Sequence, residues 1–147
     1  MTGRFLTDLD VQQLDDAHVR LLAPLVYDSP VLRATVTVPA GFVSDFASVP
    51  RWLTLTYALV GGRAKRAGVV HDWLYTVGGL TPAPTDRVTQ RQADDAFAEA
   101  IRASGQPQPG SRRLAWPMWL GLRLGGWVAW RAHRRAQARP GWSPLTG

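Results

Sequence analysis

Two helical runs separated by a proline-bearing loop constrain this chain more than any other feature. From Ala64 to Val77 the apolar residues Ala67, Val70, Trp73, Leu74 and Val77 recur three and four apart, as they do on one face of a helix. Gly78-Gly79 ends that run, and Leu80 to Thr89, with Pro82 and Pro84, reads as a loop. Gln90 to Ser104 is the clearest helix, with Ala93, Phe97, Ala100 and Ile101 on one stripe and Gly105 as its C-terminal stop. The loop is long enough for the chain to return, so the two helices are expected to pack antiparallel.

The rest of the chain frames this pair. Leu32 to Val38 alternates and is β-branched, which reads as a strand ended by Pro39-Ala40-Gly41. Gly3 to Pro24 has no strong period and reads as a first strand and loop. Ser48 and Pro50 carry the cap and first-turn chemistry of a helix from Arg51 to about Val60, broken by Gly61-Gly62. The expected fold is therefore α+β and mostly α, with a small β portion in the first 45 residues and a packed helical core after it. With 147 residues, one globular domain over 1–139 and a loose tail over 140–147 are expected.

Composition excludes several classes. Apolar residues are 46 % and charged residues 19 %, which argues against disorder. Cysteine is absent, so disulfides, thiolate metal sites and a cysteine nucleophile are excluded, which suits a reducing compartment or a virion assembled in one. Met1 to Asp10 carries acids and no apolar run, so no secretory signal is expected.

The net charge of +6 is unevenly placed: Thr7 to Asp16 is acidic, whereas Arg112 to Arg139 is basic and rich in tryptophan. A last helix is expected over about 113–135. Arg123 is the one charge between Leu114 and Trp130, and together with Pro117 and three glycines it counts against a membrane span. The helix is expected to pack on the domain, or to lie in a membrane interface with Trp116, Trp119, Trp127 and Trp130 as anchors. Arg123, Arg131, Arg134, Arg135, Trp127 and Trp130 are the candidate binding residues, with anionic lipid or an acidic protein face as partner. Nucleic acid is the weaker reading, because no recognition motif accompanies the arginines.

One constellation carries potential chemistry. His71 and Tyr75 are four apart and share a helix face. In an antiparallel pair, Asp94 would face them from the second helix. A histidine titrates near neutral pH and can take a proton from water, and it does so best when a carboxylate holds its other nitrogen. Asp72, about 100° round the helix, is placed to hold a hard cation. The bland alternative is a His-Asp-Tyr network that only locks two helices together.

Three motifs, Gly41-Phe42-Val43-Ser44-Asp45-Phe46-Ala47-Ser48-Val49-Pro50-Arg51, Val69-Val70-His71-Asp72-Trp73-Leu74-Tyr75 and Arg91-Gln92-Ala93-Asp94-Asp95-Ala96-Phe97, resemble a family of small phage and prophage proteins known as a domain of unknown function. The likeness covers roughly Pro39 to Gly105, and more weakly Trp119 to Gly126. It implies a phage or prophage origin and phage structural proteins or the bacterial envelope as partners. It further implies a location in the host cytoplasm, in the virion, or peripheral at a membrane. His71-Asp72-x-x-Tyr75 with Asp94-x-x-Phe97 is also similar, more distantly, to the two-helix core of phospholipases A2. That resemblance implies His71 as the base that activates water, Asp72 as a calcium ligand, and Asp94 with Tyr75 as the orienting pair. Asp45 is the candidate second metal ligand, or else a helix cap. Calcium is the implied ion, with zinc the lesser alternative. The functional expectation is a hydrolase acting on a lipid ester or cell-envelope bond; the alternative is a virion, tail-associated or assembly protein.

Overall fold

The computed structural model describes residues 2–16, 18–45, 64–104 and 109–145. The expected helix at 51–60, its Ser48 cap and the Gly105 stop lie outside them. The architecture is α+β: six short strands, β1 (Arg4–Phe5), β2 (Val11–Gln13), β3 (His18–Leu21), β4 (Leu25–Ser29), β5 (Ala34–Val38) and β6 (Val43–Asp45), precede three described helices, α1 (Ala64–Val77), α2 (Gln90–Ser104) and α3 (Pro109–Gln137).

The strands form two antiparallel three-stranded sheets, ordered β1-β4-β5 and β2-β3-β6. In β4, Leu25, Tyr27 and Ser29 point inward while Val26 and Asp28 are half-buried, the alternation a one-faced sheet requires. The β4–β5 hairpin turns at Pro30 to Arg33, where Arg33 takes the left-handed conformation (φ 53°). The β5 strand therefore begins at Ala34 rather than at Leu32, because the turn consumes the first two residues of the alternating run. The strand β4 was not read from the sequence, because its polar Asp28 and Ser29 hide the pattern.

The α1 helix is more buried than its sequence stripe implied. Ala67, Val69, Val70, Trp73, Leu74, Tyr75 and Val77 are all buried, so apolar residues off the expected stripe are covered too. The reason is topological. Helices α2 and α3 and strands β4, β5 and β6 all pack on α1. Trp73 illustrates the seal: its ring meets Phe42 edge-on at 5.3 Å and its indole N–H donates to the Leu80 carbonyl at 3.0 Å. Helix α1 stops at Gly78, which adopts φ +61° and donates its N–H to the Leu74 carbonyl at 2.8 Å. Three side chains cap the remaining carbonyls. Arg134 donates to Tyr75 and Thr76, Gln137 to Val77, and Arg87 to Val77 at 3.2 Å.

Helix α2 begins with a reciprocal cap, the Thr89 N–H donating to Gln92 Oε1 at 2.8 Å and the Gln92 N–H to Thr89 Oγ1 at 3.2 Å. Its buried Glu99 ties it to the first sheet. The carboxylate accepts from Ser29 Oγ at 2.6 Å, Tyr27 Oη at 3.0 Å and the Val31 N–H at 3.2 Å. Helix α3 is longer than read from sequence, extending from Pro109 to Gln137.

Candidate functional site

The centre of the helical layer is a single buried carboxylate. Asp94, on the inward face of α2, has no solvent exposure. Its Oδ1 accepts the Tyr75 hydroxyl at 2.6 Å and lies 3.2 Å from His71 Nε2. Its Oδ2 accepts from Arg123 Nη1 at 3.2 Å. Three helices thus converge on one residue: α1 supplies the imidazole and the phenol, α2 the carboxylate, α3 the guanidinium. The four-residue spacing of His71 and Tyr75 brings their rings together, tilted by 40° with centroids 4.1 Å apart, and the Phe97 ring lies 5.0 Å from the imidazole. Trp130 meets the Tyr75 ring edge-on at 5.1 Å, and Gln90 Nε2 donates to the Tyr75 oxygen at 3.3 Å.

This geometry assigns the tautomer of His71. An ionised carboxylate only accepts, so Nε2 carries the hydrogen and Nδ1 keeps its lone pair. Among the described residues Nδ1 makes no hydrogen bond, and His71 retains 7 % of its surface. Burial and the neighbouring Asp94 charge both push the Tyr75 phenol well above its ordinary value, so it acts as a fixed donor.

Asp72 sits apart from that hub. It leaves α1 toward the second sheet, where it accepts the hydroxyl of the buried Ser44. Burial pushes its carboxyl up to about 6, against the lowering effect of the Ser44 hydrogen bond and of His71. Asp45 follows Ser44 on β6, and side-chain alternation turns it the other way, into register with His18 on β3. His18 Nε2 stands 3.9 Å from Asp45 Oδ2. Ser44, then, meets Asp72 where Asp45 was expected. Calcium takes six to eight oxygen ligands, and among the described residues no group of three or more His, Asp or Glu side chains is arranged to hold a metal ion. These residues do not by themselves supply a calcium shell.

The candidate binding residues divide. Arg123 turns inward to Asp94, Trp130 packs on Tyr75, and Arg134 caps α1 while stacking on Trp130 at 4.6 Å. Trp127, Arg131 and Arg135 face outward. Sequence reading did not find Ser44, Gln90 or Glu99. It also did not pair Arg123 with Asp94, although the signal was present: a lone charge in an apolar stretch needs a buried partner.

The fold and site together define an α+β protein organised around a buried His-Asp-Tyr-Arg junction of three helices. The chain belongs to the family described as protein of unknown function DUF1353, whose match spans residues 19–122 and so includes His71, Asp72, Tyr75 and Asp94. No curated protein and no solved structure matches it.

Proposed function

We propose that this protein is a hydrolase in which His71 is the general base for water attack on an ester. The observation that carries the reading is the His71–Asp94 pair, with Nε2 committed to the carboxylate and Nδ1 making no hydrogen bond among the described residues. Nδ1 takes a proton from water as the oxygen bonds to the acyl carbon, and the imidazolium returns that proton to the leaving alkoxide. Asp94 stabilises the imidazolium and holds the ring, while Tyr75 and Arg123 hold Asp94. The likeness to phage and prophage proteins gives such an activity a use at the bacterial envelope, on a lipid ester or another envelope bond. The calcium that the phospholipase likeness implies enters only as a variable of the assay.

The test is hydrolysis of a soluble short-chain ester and of phospholipid, each with and without calcium or zinc. His71→Ala should lower turnover by about 10²–10⁴-fold, the range of general-base contributions. Equal turnover in both proteins, or none in either, would reject the hydrolase. A second reading, a virion, tail-associated or assembly protein in which the junction only braces helices, is favoured by the Arg123–Asp94 ion pair. An arginine already neutralising Asp94 reduces what that carboxylate offers an imidazolium.

A further inference from the structure

The face of α3 turned away from the domain is a second feature, independent of His71. Trp116 is 62 % exposed, Leu124 72 %, Trp127 49 % and Val128 57 %. With Leu120 they recur at three- and four-residue intervals, so they form one continuous apolar stripe over three turns. Arg131 and Arg135 extend the same stripe toward the C-terminus and are exposed. The Arg131 guanidinium lies over the Trp127 ring at 5.1 Å. The adjoining face, with Trp119, Arg123, Gly126 and Trp130, is the one that contacts Asp95, Asp94 and Tyr75.

Charge selects the occupant of this stripe. Helix α3 holds six arginines and no carboxylate from Pro109 to Gln137. A second copy packed on the stripe would set arginine against arginine or against bare apolar surface, with no acid on either helix to pair. A surface that is anionic above and apolar below fits both halves: leucine, valine and indole enter the acyl boundary while guanidinium groups meet phosphates. No helix among the described residues is long and apolar enough to cross a membrane, so the contact is peripheral. We infer that the Trp116–Arg135 stripe of α3 docks the protein on the surface of an anionic phospholipid bilayer.

The experiment is co-sedimentation of the full chain with vesicles of phosphatidylcholine alone or mixed with phosphatidylglycerol. Binding is expected to the mixed vesicles, weakening as salt rises. Replacing Arg131→Glu and Arg135→Glu together should reduce it at least about tenfold. Leu124→Asp with Val128→Asp should abolish it, and circular dichroism should show these exposed-site variants folded. No binding to anionic vesicles, equal binding to both compositions, or binding that survives the aspartates would overturn the inference. So would self-association that the aspartates abolish in a protein that ignores vesicles, which would assign the stripe to a second copy. The soluble-ester assay with His71→Ala reads the hydrolase separately, so either proposal can fail alone.

Discussion

Removing Asp94 is the perturbation that most directly tests the three-helix junction. Asp94→Ala deprives the Tyr75 hydroxyl, the His71 Nε2–H and the Arg123 guanidinium of their common acceptor. Hydrogen bonds to a charged group are worth about 1.5–3 kcal/mol each, but the three do not simply add. The Arg123 side chain keeps 33 % exposure and can rehydrate, whereas the buried tyrosine hydroxyl retains, among the described residues, only the Gln90 amide beside it. The closest general case, breaking a buried pair by removing one partner, costs about 3–5 kcal/mol. For a domain of this size that is a fall in Tm of roughly 10 °C. Asp94→Asn keeps one acceptor for Tyr75 but loses the charge, and should cost about half as much. Urea unfolding followed by tryptophan fluorescence measures both, with an unchanged slope showing that the denatured state is not the cause. A double-mutant cycle with Arg123→Met isolates the ion pair. An Asp94→Ala protein within about 1 kcal/mol of wild type would refute the junction as the element holding α1, α2 and α3 together.

Other outcomes follow from the same structure. Because burial raises the folded Asp72 carboxyl to about 6, the native state holds a proton the unfolded chain has already released above about pH 4. Its contribution to stability therefore declines as pH rises from about 4 to 6 and stays low above that. Asp72→Asn, which can still accept from Ser44, should stabilise the protein at pH 8 by on the order of 2 kcal/mol and hardly at pH 4, read from urea curves at both pH values. Glu99→Ala should cost about 2–4 kcal/mol, since the buried Tyr27 and Ser29 hydroxyls lose the acceptor for their hydrogens, Ser29 Oγ still accepting from the Leu32 N–H; chemical denaturation gives the value. Gly78→Ala should destabilise by more than about 1 kcal/mol, because φ is +61° and the added Cβ would displace the Arg134 guanidinium that caps α1. Differential scanning calorimetry reads that shift.

Local chemistry was enough to place the main helices. The bounds Ala64–Val77 and Gln90–Ser104 follow from side-chain period and from glycine and threonine at the ends, all of which act within a few residues. The alignment of His71 with Tyr75 is likewise a property of one helix. The short strands left a weaker trace, because β1, β2 and β6 are two or three residues long and hold their shape through partners distant in the chain. Which side chain met which was settled by packing. The pleat of β6 hands Ser44, not its neighbour Asp45, to Asp72. The crossing of α3 over the pair turns Arg123 toward Asp94 and leaves Leu124 in solvent. Adjacent residues with opposite fates record the direction a backbone faces once another element lies against it, and no local pattern carries that direction.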